Sequence, residues 1–415
     1  MRNLTLFVIF LLIFSHLSAQ WTALNSGTTL HFTQISQNAT GDLLLVGQES
    51  SSQMSLGSIW KSDDAGTNWY NVAHHDKGFS TICFLPSGTA LAIPHSTDSL
   101  FKSTDGGNTW AKQYSPNCNG PFRGFPNVSF TDNLTGYAPG YKTINGGDSW
   151  FSQFPEVQSF PYMPTDIAFV NDSTGIIAGY AYWAAMAKTT DRGNTWTWVN
   201  VPGQTWEIYA VDFPTAQIGY CTSQKSATIH EAEILKTIDG GDNWTSIYTA
   251  NMSSLFLDIH CTDANTCYAV GRNGNITKTT DGGISWNTQP SGTTQTLNKV
   301  FFTDINTGYV VGESGTVLKT TNGGGTTGVS NPYFSGKEVS IYPNPSESGQ
   351  FHFQIAAGGE AKKYELRIFN VLGEKILSET LNNEILIDIS AYPNNLYFYQ
   401  LWQNEGLVST GKLLK

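Results

Sequence analysis

The chain has 415 residues, of which only 13% are charged, with 41 glycines and a formal net charge of −11. That charged share is about half the usual one. An acidic, arginine-poor chain excludes a broad electrostatic grip on nucleic acid or anionic membrane, and the abundant Gly, Ser, Thr and Asn suit an all-β fold with many tight turns.

In chain order, residues 1–19 read as a signal peptide. Arg2 is the positive n-region, Leu4 to Leu17 the apolar run and Leu17-Ser18-Ala19 the cleavage site, which leaves Gln20 first. The run is too short for a comfortable membrane span, and no other stretch is apolar enough to make a transmembrane segment.

Six copies of one phrase follow, each opening on lysine and closing on tryptophan: Lys61 to Trp69, Lys102 to Trp110, Lys142 to Trp150, Lys188 to Trp196, Lys236 to Trp244 and Lys278 to Trp286. A seventh, Lys319-Thr-Thr-Asn-Gly-Gly-Gly325, lacks its tryptophan. A fixed period of roughly 40 residues signals a repeat architecture. The missing half sits at the N-terminus, where Trp21-Thr-Ala-Leu-Asn-Ser-Gly-Thr-Thr matches Trp286-Asn-Thr-Gln-Pro-Ser-Gly-Thr-Thr. An open solenoid has no use for such a split, whereas in a closed ring the first strand completes the last blade and leaves no unpaired edge. Residues 20–328 are therefore expected to form a seven-bladed β-propeller.

Within a repeat, short β-rich runs alternate with turn clusters, as in Lys299–Thr303, Gly308–Val311 and Thr316–Thr320. Two positions are apolar throughout. One comprises Phe32, Phe79, Phe125, Pro164, Ile208, Phe256 and Leu297; the other comprises Ile35, Ile82, Val128, Ile167, Val211, Ile259 and Val300. Both are expected in the interblade core. In the phrase, the Asp or Asn (Asp64, Asp105, Asn145, Asp191, Asp239, Asp281 and Asn322) can accept hydrogen bonds from nearby amides, so one carboxylate per blade is a structural turn device, not a calcium or catalytic site. Export permits disulfides, and Cys261 and Cys267 flank a five-residue loop between antiparallel strands, within bonding reach. The pairing of Cys83, Cys118 and Cys221 stays open.

His74-His75-Asp76, with His95 and His31 in loops on the same side, is the one cluster that suggests a metal. Neighbours on an extended segment point oppositely, so no metal is expected there; no cofactor is expected either. The stronger signal is aromatic. The connections opposite the Lys-to-Trp turns carry Arg123, Phe160-Pro-Tyr162, Tyr180-Ala-Tyr182-Trp183 and Trp206-Glu207. Arg123, Tyr162, Tyr180, Tyr182, Trp183, Trp206 and Glu207 are the candidate ligand-binding set, because Tyr and Trp pair an apolar body with a polar tip. Connections there are also unequal: Gln48 to Ser58, Tyr180 to Met186 and Ser223 to Glu233 read as long, while blade 3 is cut short at Ala138-Pro-Gly140.

The phrase resembles the Asp-box, Ser/Thr-x-Asp-x-Gly-x-Thr-Trp, of BNR-repeat and sialidase-like propellers. With Thr-Asp-x-x-Thr-Gly-Tyr, the repeat also resembles the photosystem-II-assembly-factor type of propeller over most of residues 21–328. That family's arginine-rich patch is not matched: this propeller has only Arg123, Arg192 and Arg272. Nor can the three converging arginines of sialidases be assembled, since Arg192 lies inside a Lys-to-Trp turn.

Residues 329–338 read as a linker, and 339–415 as a small β-sandwich of alternating strands. Tyr342-Pro-Asn-Pro345, Asn370-Val-Leu-Gly373 and a lysine-bearing last strand resemble the C-terminal sorting domain of type IX secretion substrates. The departure is Asn395, in place of a glycine, where a left-handed turn is expected. The resemblance implies type IX secretion machinery as partner, and an extracellular or cell-surface location. The resulting expectation is a non-catalytic propeller that binds a protein or glycan. The alternative is an extracellular polysaccharide-acting hydrolase or lyase of sialidase-like fold.

Overall fold

The computed structural model describes residues 21–50, 55–95, 99–114, 127–153, 163–180, 184–202, 205–225, 231–325, 339–342 and 346–415 without 347, 356–362, 371–373, 383 and 404–405. The signal-peptide reading of 1–19 lies outside them. The chain divides into two compact units, Met1–Gly325 and Thr326–Lys415.

Seven four-stranded antiparallel sheets make up the first unit, one per repeat. It is a seven-bladed β-propeller. Six blades take their strands in sequence order; the seventh pairs Thr22–Leu24, at its outer edge, with Val317–Thr320. Thr22 faces Lys319 and Leu24 faces Val317, so the N-terminal strand closes the ring. Trp21 holds that seam. It is 2% exposed, packs edge-on against Tyr268 and Phe302, and donates its indole N–H to Gln289 Oε1 at 2.8 Å.

The apolar positions form the core between blades. Ile35, Ile82, Val128, Ile167, Val211, Ile259 and Val300 are all buried, as are Phe32, Phe79, Ile208, Phe256 and Leu297. Pro164 is only half-buried, and Phe125 lies outside the described residues. Cys261 and Cys267 are disulfide-bonded across the blade-6 hairpin, with Cα atoms 4.0 Å apart; Cys83 and Cys221 are free.

The Lys-to-Trp turns share one hydrogen-bond pattern. In blade 2, the Ser103 hydroxyl donates to Asp105 Oδ1 at 2.7 Å while receiving the Gly107 N–H, and Asp105 also accepts from the Thr109 amide and hydroxyl. Asn145 and Asn322 accept the equivalent threonine hydroxyl at 2.9 Å. The residue after the Asp or Asn is left-handed. Glycine is suited to this, and where Ala65 and Arg192 stand instead they adopt φ of 59° and 64°.

The repeated lysine joins neighbouring blades. Lys61 donates to Asn108 Oδ1 at 2.8 Å, Lys102 to the Gly146 carbonyl at 3.2 Å, Lys142 to that of Arg192 at 2.9 Å, and Lys188 to Asp242 at 2.6 Å. Lys236 donates to the Gly282 carbonyl at 2.6 Å, Lys278 to that of Gly323 at 2.7 Å, and Lys319 to that of Ala65 at 3.0 Å, from the last blade back to the first.

The second unit is a small β-sandwich. Val339–Tyr342, Gln350–Ile355 and Glu384–Asp388 form one sheet; Lys375–Leu381, Tyr364–Phe369, Leu396–Gln403 and Gly406–Leu414 form the other. Alternate residues meet in its core, among them Phe351, Phe353, Leu366, Ile368, Tyr399 and Leu413. Asn395 is not left-handed, contrary to expectation. Its carbonyl instead accepts the Lys415 N–H at 3.1 Å, so the strand entrance is fixed by pairing and needs no special φ.

Candidate functional site

The two rims of the ring differ in kind. One carries the Lys-to-Trp turns. The other, the mouth, carries the ends of each second strand and the starts of each first strand. Of the seven candidate binding residues, Tyr180, Trp206 and Glu207 are described; Arg123, Tyr162, Tyr182 and Trp183 lie outside the described residues. The blade-4 connection is not the long one expected. Tyr180 pairs directly with Ala184, so only three residues cross between the strands.

Tyr180 ends the second strand of blade 4, while Trp206 and Glu207 start the first strand of blade 5; all three are half-buried. Their surroundings form one polar cluster. Tyr209 donates its hydroxyl to Glu207 Oε2 at 2.8 Å and lies 3.1 Å from the Gln224 side-chain amide. Burial and then the Glu207 charge raise the Tyr180 phenol above its ordinary value. Tyr209 is raised for the same two reasons, and the Arg272 charge from blade 6 opposes the shift. Two tyrosines, a carboxylate and a guanidinium from three successive blades therefore share one electrostatic neighbourhood. Sequence reasoning missed Tyr209 and Gln224, whose signal was their place within two strands of Glu207 in the repeat.

The histidines separate as alternation requires. His74 is exposed, with Nδ1 3.2 Å from Ser58 Oγ, while His75 packs against Phe79 and Phe101 and meets Asp76 through Nε2 at 2.9 Å. Burial lowers His95 to about 4. Among the described residues, no group of three or more His, Cys, Asp or Glu is placed to hold a metal ion.

The inner wall carries a second polar set. In the six blades where it is described, the first strand has a bulge at the same place, between residues such as Leu297 and Lys299 or Phe256 and Asp258. The residue after the bulge precedes the buried Val300-type position. Around the ring it reads Gln34, Thr81, Asn127, Asp166, Ala210, Asp258 and Lys299. Asn127, Asp166 and Lys299 line a cavity of about 220 Å3 with Ser129, Asp212 and His260.

Asp166 and Asp258 each staple their blade to the next. Asp166 accepts the Val211 amide at 2.9 Å and Asp258 the Val300 amide at 2.8 Å, and Lys299 pairs with Asp258 at 2.8 Å. Burial raises Asp258 to about 6 despite Lys299, and raises Asp166 as well. Burial also lowers His260, against the opposing charge of Asp212. Lys299 itself is disfavoured by burial, but Asp258 and Asp166 outweigh that and raise it. The sequence displayed this position directly beside the apolar one; only the apolar neighbour was read.

Comparison with known proteins gives the following. Residues 340–415 match the family model "Secretion system C-terminal sorting domain", and residues 248–321 match "Photosynthesis system II assembly factor YCF48". The C-terminal unit thus resembles a secretion sorting domain, and the propeller resembles YCF48. It is 26% identical over 300 residues to the photosystem II assembly lipoprotein Ycf48 of Synechococcus sp. (strain CC9902), covering 68% of this chain and 82% of that protein. The solved YCF48 of Cyanidioschyzon merolae superposes with a TM-score of 0.57 at 18% identity, covering 72% of this chain and 98% of that one. PorZ, described as an essential bacterial surface component of the type-IX secretion system of Porphyromonas gingivalis, superposes with a TM-score of 0.55 at 13% identity, covering 92% of this chain and 59% of that one. A GH74 xyloglucanase from Xanthomonas campestris superposes at 0.52 and 12%, covering 94% and 74% respectively. At these identities the structural likenesses show the fold alone.

Proposed function

We propose that this protein is exported by type IX secretion to the cell surface or medium, and that its propeller is a non-catalytic module binding a protein or glycan through the mouth of blades 4 to 6. Residues 1–19 act as the signal peptide, 20–328 as the binding ring, 329–338 as the linker and 339–415 as the sorting domain. The match of 340–415 to the sorting-domain model supports the route. The observation that carries the binding reading is the Tyr209–Glu207 hydrogen bond on the irregular rim, with Tyr180 and Arg272 within electrostatic reach of it. Aromatic faces with convergent hydrogen-bonding groups suit sugars and polypeptide side chains alike. Tyr209 donates to Glu207, and burial and that carboxylate's charge raise its phenol above the ordinary value, so it serves as a neutral hydrogen-bonding group rather than as a phenolate nucleophile.

Two measurements test this reading. Deleting 339–415 in the native host is expected to hold the propeller in the periplasm; normal surface delivery of the truncation overturns the route. On a glycan array and in pull-downs from surface extracts, Trp206→Ala and Trp183→Ala are expected to lose the ligand that the full chain retains. Turnover of a polysaccharide by the full chain would replace the binding reading with the hydrolytic one.

A further inference from the structure

Most of the Lys-to-Trp rim is polar, but exposed aliphatic side chains interrupt it: Leu134 and Ile144 in blade 3, and Ile238, Ile284 and Ile305 in blades 5 to 7. Ile238 is 72% exposed, Ile284 88% and Ile305 64%. Isolated exposed aliphatics are ordinary. The last three stand on consecutive blades whose turns are tied together. Lys236, two residues before Ile238, donates to the Gly282 carbonyl, two residues before Ile284. Lys278 of that same blade donates to the Gly323 carbonyl, and the Gly323 amide donates to Asn306, next to Ile305.

The repeats provide an internal control on whether the fold needs these side chains. At the position of Ile238, four other blades carry Thr104, Thr190, Thr280 and Thr321 and blade 1 carries Asp63, while blade 3 shares the isoleucine as Ile144. At that of Ile284 they include Asn108 and Asn194, and at that of Ile305, blade 3 carries Asn133. The same turns close with polar residues, so burial and turn geometry do not account for the isoleucines.

The ground between them is acidic. Asp263, Asp281 and Asp304 are exposed and Asp239 is half-buried, while Asp242, also exposed, is neutralised by Lys188. The nearby ammonium groups are already committed: Lys236 and Lys278 to carbonyls, and Lys188 to Asp242 at 2.6 Å.

We infer that the rim of blades 5 to 7 is a second docking surface, whose occupant is a polypeptide segment of another protein that presents Lys or Arg side chains between aliphatic ones. Ile238, Ile284 and Ile305 supply apolar contact, and the aspartates supply the complementary charge. This surface lies on the opposite rim from the mouth and is independent of the ligand proposed there.

The test uses the full chain and a fluorescently labelled peptide of alternating Lys and Leu, read by anisotropy. Comparison peptides alternate Glu with Leu and Lys with Ser. The triple variant Ile238→Thr, Ile284→Asn, Ile305→Asn borrows residues from the protein's own repeats and is expected to keep the urea midpoint of the parent. It is expected to weaken Lys/Leu binding by about tenfold or more. Salt at about 0.5 M is expected to weaken binding of the parent to a similar degree. If the triple variant does not fold, Ile284→Asn alone serves, with an expected loss of about threefold. Binding by a folded variant within about twofold of the parent, or equal binding of the Glu/Leu or Lys/Ser peptide, would overturn the proposal.

Discussion

Two rings of side chains encircle this propeller, and they follow opposite rules. The ring of lysines beneath the turns uses one residue seven times in one role, each ammonium donating to the next blade's turn. The ring on the inner wall occupies an equally regular backbone site, set by a repeated bulge, yet holds Gln, Thr, Asn, Asp, Ala, Asp and Lys. A position with a single structural solution repeats its residue. A position that the backbone leaves open diverges, and there the chain concentrates buried charge in blades 4, 6 and 7. Within one molecule, the contrast separates a joint made the same way seven times from a position that each blade fills with its own residue.

The largest effect is expected where the ring is closed. Trp21→Ala removes a buried indole at the seam and should cost about 3–5 kcal/mol in urea unfolding. A cost under about 1 kcal/mol would mean that Thr22–Leu24 is not needed to complete the seventh blade.

Next comes Lys299→Met, which leaves the Asp258 and Asp166 carboxylates buried without their cation. The expected loss is about 3 kcal/mol at neutral pH, within the range for breaking a buried pair. The pH dependence has a definite sign. Asp258 titrates at about 6 in the fold, above its ordinary 3.8. Between those values the folded state holds a proton that the unfolded chain has lost, so this group favours folding more as pH falls. The variant's deficit should therefore shrink from pH 8 to pH 5; a deficit that grows on acidification would refute the assignment. By contrast, Lys142→Met removes one repeated lysine and should cost only about 1–2 kcal/mol, since the Arg192 carbonyl loses a single charged donor.

The repeated ring was legible in the sequence because its lysines, glycines and tryptophans recur at one period, and the split seventh repeat announced closure through Trp21. The inner wall was not, although its residues stand next to the apolar Ile35-to-Val300 series. Polarity there looks like ordinary strand alternation, and the bulge that sets the position leaves no mark in the sequence pattern. At the mouth, Glu207 was legible by its neighbour Trp206, but its partner Tyr209 occupies the bulged position itself. Thr33, Thr165 and Asn298 use that same position to bond the next blade. Nothing in a strand pattern distinguishes a tyrosine that faces a carboxylate from one that packs. The isoleucines of the turn rim were visible, but similarity among the turns concealed the three positions at which they differ.

The acid limb of stability sharpens the contrast from the other side. The turn carboxylates have lowered values because backbone and side-chain donors surround the charged form: Asp239 falls to about 2, chiefly through Asn243, and Asp64, Asp105, Asp191 and Asp281 are also lowered. Their contribution is present above the ordinary carboxylate value and is lost as pH falls from about 4 toward 2, opposite in sign to Asp258. Urea midpoints should therefore decline over that range, and Asp239→Asn should make the decline shallower; an unchanged slope would contradict the role assigned to the turns.

The smallest effect expected is that of Asn145→Asp, which gives blade 3 the residue found in five other turns. Asn145 Oδ1 accepts the Thr143 hydroxyl at 2.9 Å and the Ser149 amide at 3.0 Å, while its Nδ2 donates to the Ser149 hydroxyl at 2.9 Å. A carboxylate keeps the first two bonds and needs only the Ser149 hydroxyl to turn and donate, as Ser285 does to Asp281 at 2.6 Å. A hydroxyl rotates to suit either partner, so stability at pH 7 should change by less than about 0.5 kcal/mol. The variant should nevertheless gain a steeper acid limb than the parent, because it adds one more stabilised carboxylate. A neutral substitution that alters only the pH slope would show that the turn requires an acceptor at this position and not a charge. A loss of more than about 1 kcal/mol would show instead that the amide N–H of Asn145 is part of what closes blade 3.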